Sequence, residues 1–175
     1  KGIPVSTARA GNVIGGGDFA NDRIVPDCVR AVEKGVKIAV RNRHSTRPYQ
    51  HVLEPLFAYL MIAQKQYDDA KYAGWYNVGP DECDCVTTGD LVDLFCASWG
   101  EGAQWEDHTE PNAPHEANFL KLDCSKIKSV FGWSPRWHIG EAIAETCAWT
   151  RVYFDNGDIP AEMDREIRLF EGETI

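Results

Sequence analysis

Pro4-Val5-Ser6-Thr7-Ala8-Arg9-Ala10-Gly11-Asn12-Val13-Ile14-Gly15-Gly16-Gly17-Asp18 is the stretch whose reading decides the fold of this chain. Residues 4–9 have strand character and run into a loop carrying four glycines. A strand that ends in glycines lets backbone N–H groups approach a phosphate with no side chain in the way. Asn12 adds a donor for a phosphate or sugar oxygen. The competing reading is a tight turn needing positive φ, and the spacing alone leaves the two readings even. The stretch is not the dinucleotide G-x-G-x-x-G motif, because no helix opens at its last glycine.

Working outward, a helix is expected from about Ile24 to Lys34, with Ile24, Cys28, Ala31 and Val32 on one face, Pro26 in its first turn and Gly35 ending it. Lys37 to Val40 alternates as a strand. Arg41 to Gln50 reads as a polar loop. A helix from about Leu53 to Gln66 is apolar around much of its circumference. Trp75 to Val78 is a buried strand stopped by Gly79-Pro80. Thr87 or Thr88 caps a helix through Trp99, with Asp90 in its first turn. Gln104 to Glu106 is an edge strand, residues 109–118 a loop, and helices follow over about 125–131 and 140–155. The charged last fifteen residues are expected to hug the surface or fray. The alternation of strand and helix gives an α/β protein. Few strands are fully apolar, so the sheet is expected to be incomplete.

At 175 residues the chain can bury one core, and residues 1–175 are taken as a single unit. The net charge of −9 argues against a general nucleic-acid binder, which needs a basic surface. It leaves room for a small anionic ligand held by a few arginines. No run of 18 apolar residues exists, so no membrane span is expected. The chain opens at Lys1, not Met, which suggests a piece of a longer protein without a signal peptide. The six cysteines include no C-x-x-C pair, and only Cys83 and Cys85 are close. Reduced core thiols in a cytoplasmic protein are therefore expected, with no metal site.

Two further segments carry candidate chemistry. Arg41, Arg43 and Arg47 lie within seven residues and repel one another unless an anion sits among them, and guanidinium forks grip a diphosphate bidentately. A solvated basic loop is the commoner fate of such a run. In Pro114-His115-Glu116-Ala117, His115 offers a donor to phosphate or sugar, against the plain reading of a solvent-facing loop histidine.

Six ordered blocks resemble one family. Arg9 to Ala20 with Asp22-Arg23, then Arg47-Pro48-Tyr49-Gln50-His51-Val52-Leu53-Glu54-Pro55-Leu56, Asn77-Val78-Gly79-Pro80, Pro114-His115-Glu116-Ala117, Leu122-Asp123-Cys124-Ser125-Lys126 and Gly132-Trp133-Ser134-Pro135-Arg136-Trp137 are similar to the C-terminal portion of the CDP-glucose 4,6-dehydratases. These are NAD-dependent lyases of the extended short-chain dehydrogenase/reductase group. The resemblance implies a partial Rossmann sheet edge (strands near 4–9 and 75–79) plus a small substrate-binding domain (strands near 37–41 and 104–107). It implies that Asn12 touches the diphosphate or sugar, that Arg47 grips the diphosphate with help from His115, and that Arg23 and Arg41 line the nucleotide pocket. Lys37 to Arg41 would be the strand under the base. Ala10 would pass near the nicotinamide of NAD, and Tyr49 and Gln50 are lesser candidates.

The family reaction oxidises C4 of the sugar, eliminates water across C5–C6 and returns hydride to C6. By the resemblance, the family's NAD fingerprint, Tyr-x-x-x-Lys pair and acid/base residues lie upstream of this sequence; of the six tyrosines here, Tyr67 alone has Lys four places on, at Lys71. No catalytic residue and no bound NAD are therefore expected in this chain alone, although the full-length parent would use NAD. The expected partners are a nucleotide sugar and, through a bare sheet edge, a second copy of the chain. Two other readings stay open: a non-catalytic nucleotide-binding or subunit-interaction module, and part of an epimerase or dehydratase for another nucleotide sugar.

Overall fold

A computed structural model describes residues 2–109 and 120–172. The strands are β1 (Thr7–Ala10), β2 (Asn12–Ile14), β3 (Ile38–Val40), β4 (Thr46–His51), β5 (Trp75–Val78), β6 (Cys85–Thr87) and β7 (Trp105–Asp107). The α-helices are α1 (Ile24–Glu33), α2 (Leu53–Asp68), α3 (Thr88–Trp99), α4 (Ser125–Phe131), α5 (Ile139–Phe154) and α6 (Ile159–Glu171). Three small sheets result. β1 pairs with β5 in parallel, β3 with β7 in parallel, and β4 lies between parallel β2 and antiparallel β6.

The helix signals act as expected at the ends. Pro26 sits in the first turn of α1, and Gly35 at φ 63° stops the chain from continuing it. Val25, Cys28, Val29 and Ala31 face inward. Thr87, not Thr88, caps α3: its hydroxyl accepts from Asp90 N–H while Asp90 accepts from Thr87 N–H, a reciprocal arrangement that contributes about 1 kcal/mol.

Two apolar clusters form. The larger joins α1, α3, α5 and β3 through residues such as Val29, Val40, Phe95 and Ile143. The smaller joins Ala58 and Ile62 of α2 to Tyr76, Val78, Ile127 and Trp133. Glu54 ties the start of α2 to the segment before α5. It is fully buried, and its Oε1 accepts from the N–H groups of Arg136 and Trp137, each at 2.8 Å.

Four expectations are corrected. The first strand begins at Thr7, and the glycine stretch is not all loop, since Asn12–Ile14 forms β2 against Tyr49–His51. Its glycines serve close packing. A Cβ on Gly11 would lie 2.5 Å from the Pro48 carbonyl, and one on Gly16 would lie 2.1 Å from the Trp149 ring. The arginine-rich segment is a loop only up to Ser45, after which β4 runs as the central strand of its sheet. Charge hid that strand, because its buried half (Pro48 to His51) follows a polar half.

The third correction concerns α2. Leu56, Tyr59, Leu60 and Tyr67 are exposed, because β5, α4 and the Trp133 segment take up only one side of the helix. The fourth is the C-terminus. Residues 159–171 form α6, capped by Asp158 accepting from Ala161 N–H and ended by Gly172 at φ 89°. Glu162, Glu166 and Phe170 make an inward stripe at four-residue spacing. Phe170 meets Trp137 edge-on at 5.2 Å. Arg165 pairs with both Glu162 and Glu145 of α5. The high charge of the segment is spent on these pairs, so it docks where composition suggested fraying.

Gly16→Val should destabilise the chain by about 1–3 kcal/mol, because the new side chain must displace the Trp149 ring. Chemical denaturation measures this directly. A second prediction concerns two buried groups 3.8 Å apart, His51 Nε2 and Glu166 Oε1. Burial pushes Glu166 from 4.5 up to about 7 and lowers His51 from 6.5 to about 4. Glu166 therefore favours the fold fully below pH 4.5, and that contribution is lost as pH rises through 7. His51 acts in the opposite sense, favouring the fold above pH 6.5 and losing that contribution as pH falls through 4. Glu166→Gln removes the first effect. Relative to the unsubstituted chain it should be more stabilising at pH 8 than at pH 4.5, by up to about 3 kcal/mol in denaturant unfolding.

Candidate functional site

The bend between β1 and β2 builds one wall of the site. Gly11 N–H donates to the Val78 carbonyl at 3.0 Å, and Pro48 packs against the bare Gly11 Cα. The chain thus leaves β1 and turns into β2 beside β4. Gln50 Nε2 donates to the same Val78 carbonyl at 2.9 Å, so a side chain of β4 also joins the sheets. On the far side, β3 brings Ala39 and Arg41 to the opening, and α1 contributes its first turn.

The result is an open cleft of about 950 Å³. Asn12, Arg23, Arg41 and Arg47 all line it, which brings together four residues scattered over 36 positions of sequence. Ala39 is the outward residue of β3, between buried Ile38 and Val40. Tyr49 lines the cleft two residues beyond Arg47, as strand alternation requires, whereas Gln50 is turned to Val78. Ala10 ends β1, opposite Val78. His115 lies outside the described residues.

The arginines are held by carboxylates of the same cleft. Arg23 is 3.4 Å from Asp18, and Arg41 is 3.1 Å from Asp22 and 3.7 Å from Asp27. Arg43 pairs with Asp107 at 3.4 Å. The guanidinium repulsion that suggested an intervening anion is thus answered by aspartates within the chain. These pairs are largely exposed, and such pairs are worth about 0–1 kcal/mol, so a phosphate can displace the aspartates at little cost. Arg47 is half-buried and donates from Nη1 to its neighbour Thr46 O at 3.0 Å.

Sequence reasoning missed part of the lining. Asp22 entered only beside Arg23 and Asp27 not at all, although both pair with Arg41. Ser45 and Thr88 meet hydroxyl to hydroxyl at 2.8 Å in the cleft wall, 43 positions apart, and no local signal links them. The glycine stretch lacks the geometry of a dinucleotide pyrophosphate cradle. After Gly17 the chain turns through residues 18–23 before α1 starts at Ile24, so no helix N-terminus caps the glycine stretch.

No family model matches the sequence. The chain is 42% identical over 174 residues to CDP-glucose 4,6-dehydratase of Salmonella typhimurium, covering 99% of this chain and 48% of that protein. It therefore spans about half the length of the curated relative it matches. Among solved structures, a UDP-glucose 4-epimerase from Stenotrophomonas maltophila with bound NAD and formylated UDP-arabinopyranose superposes with a TM-score of 0.72 at 16% identity, over 88% of this chain and 49% of that one. UDP-glucuronic acid 4-epimerase from Bacillus cereus, in complex with UDP-glucuronic acid and NAD, gives 0.70 at 13% identity over 85% and 45%. dTDP-glucose 4,6-dehydratase from Bacillus anthracis with NAD gives 0.68 at 19% identity over 84% and 44%. The structural likenesses show the fold. The chain thus has the fold of the matched part of these epimerase and dehydratase chains, and in sequence it is similar, over nearly its whole length, to a C-terminal portion of CDP-glucose 4,6-dehydratase.

Proposed function

We propose that this chain is the nucleotide-sugar-binding portion of a 4,6-dehydratase, that its ligand is CDP-glucose, and that it does not turn the sugar over by itself. The observation that carries this reading is the convergence of Asn12, Arg23, Arg41 and Arg47 on one cleft. Arg47 stands on the rigid central strand β4 and is assigned the diphosphate, where a planar guanidinium makes two parallel bonds to phosphate oxygens. Asn12, on the neighbouring strand, is assigned a sugar or phosphate oxygen. Arg23 and Arg41 leave their aspartates to complete the anion's shell. Ala39 presents a small flat surface on which the base rests, and His115 is assigned a supporting bond to the diphosphate.

The chain's part is to bind and orient. NAD supplies hydride transfer in enzymes that carry it; this sequence has no G-x-G-x-x-G motif, and its one Tyr-x-x-x-Lys match, Tyr67 with Lys71, lies outside the cleft, with Tyr67 exposed and Lys71 paired with Asp69. The similarity to CDP-glucose 4,6-dehydratase supports the choice of CDP over other nucleotides.

Calorimetric titration with CDP-glucose, UDP-glucose and CDP tests the assignment. Saturable binding that prefers the CDP ligands is expected, with Arg47→Ala weakening it at least about tenfold, since removing one partner of a charged pair costs about 2–5 kcal/mol. Equal binding by the unsubstituted and Arg47→Ala chains would remove the diphosphate from that strand.

We also infer that the chain self-associates through the β1–β5 ribbon. Val5 and Trp75 are 70% and 69% exposed there, and a two-stranded ribbon leaves unpaired backbone groups along its edges. Light scattering over a concentration series should show a rising mean mass, and Trp75→Lys should lower it. A mass fixed at the monomer value at every concentration would rule the association out.

A further inference from the structure

Outside the cleft, the short 3-10 turn Glu82–Asp84 meets the N-terminus of α5 in a cluster that the spacing of the cysteines does not reveal. Cys83 and Asp84 lie on the turn, and His138 is the residue before α5, 54 positions further on. Asp84 Oδ2 is 2.9 Å from His138 Nδ1 and 3.6 Å from Cys83 Sγ. One ligand atom from each residue falls within 4.8 Å of the other two.

We propose that Cys83, Asp84 and His138 form a binding site for a divalent cation of the zinc type. The ligand set is one thiolate, one carboxylate oxygen and one imidazole nitrogen, with a fourth position open to water. Such a mixture of soft and borderline donors selects zinc-like ions over magnesium or calcium. With metal–ligand bonds of about 2.0–2.3 Å, a tetrahedral ion needs its ligands about 3.3–3.7 Å apart. The 3.6 Å separation falls inside that range, the 2.9 Å one lies just below it, and the third pair is within 4.8 Å, so small movements of the exposed Cys83 and His138 side chains complete the shell.

The surroundings hold these groups in place. Asp84 is buried, and its other oxygen accepts from Ile139 N–H at 3.0 Å, which turns Oδ2 toward Cys83 and His138. A hydrogen bond of this kind fixes the orientation of a ligating carboxylate. His138 N–H donates to Glu141 Oε2 at 2.8 Å, so the backbone that carries the imidazole is also fixed. The His138 side chain is 70% exposed and Cys83 is exposed, so an ion has direct access from solvent. In the same turn Asp81 and Glu82 are engaged by Lys128 and Lys121, which leaves the cluster's own carboxylate to the thiol and the imidazole.

The bound ion clamps the turn to α5. Cys85 directly follows the turn and pairs with Pro48 in the β4–β6 ladder, with Val86 opposite Arg47. None of the three ligands lines the cleft, so the site stands independently of the nucleotide-sugar assignment. On binding, the Cys83 thiol gives its proton to the buffer and coordinates as thiolate.

Titration of the reduced, metal-free chain with Zn2+ and with Co2+ tests the proposal. One equivalent should bind, and the Co2+ form should show a near-ultraviolet thiolate-to-cobalt absorption band. Cys83→Ser should abolish that band. Cys83→Ser and His138→Gln should each weaken affinity at least about tenfold, whereas Cys85→Ser should leave the band in place. Both ligand positions are at the surface, and far-ultraviolet circular dichroism checks that the variants fold. The proposal is overturned if the unsubstituted chain binds no stoichiometric ion or shows no thiolate band, if Cys83→Ser keeps the band, or if either ligand variant binds as tightly as the unsubstituted chain. The first of these outcomes needs no variant at all.

Discussion

The carbonyl of Val78 is the point at which the β1–β5 sheet is joined to the β2–β4–β6 sheet. It accepts from Gly11 N–H where β1 bends toward β2, and from the Gln50 side chain of β4. A buried carbonyl with two donors is a strong constraint, because losing either leaves a polar group unsatisfied at a cost of about 1–3 kcal/mol. It also requires glycine at position 11, since any Cβ there would press on the Pro48 carbonyl. From this joint follow the direction of β2, the placement of Asn12 on the cleft wall, and the alignment of Asn12 with Tyr49, two residues from Arg47. The cleft is therefore a product of how two short sheets meet.

A second constraint holds the helices behind that joint. Glu54 begins α2 within the β4–α2 connection and accepts from two backbone N–H groups ahead of α5. Burial raises its pKa, and the two N–H bonds oppose that rise. Near it, the His51 ring lies tilted against Trp137 at 4.8 Å and faces Glu166 of α6. The C-terminal helix thus packs onto the strand that carries Arg47, with His51 Nε2 and Glu166 Oε1 buried 3.8 Å apart and not hydrogen-bonded to each other.

Charge in the cleft is balanced inside the chain. The overall excess of acid, −9, coexists with an arginine-lined cleft because aspartates 18, 22 and 27 sit among the arginines. They pair with Arg23 and Arg41 through largely exposed contacts, each worth about 0–1 kcal/mol. The same feature explains why counting arginines alone overstated the need for a ligand.

Much of this was legible in the residues. Pro26, Gly35, Thr87 with Asp90, Gly100 and Gly132 mark helix ends by local backbone chemistry, and α1, α3 and α4 fall where those signals put them. The α/β alternation and the family resemblance were readable for the same reason, since both depend on short-range order. Strand β4, the docking of α6, the one-sided burial of α2 and the meeting of Cys83 with His138 were not. Each depends on partners 34 to 83 positions away or on which faces find cover, as in Arg136 to Phe170 and Trp137 to Glu54. By itself the sequence determined where helices start and stop and which residues carry binding chemistry. Only the tertiary structure decided which of those residues meet, because side chains distant in sequence come within a few ångströms only after burial and hydrogen bonding have fixed the sheets.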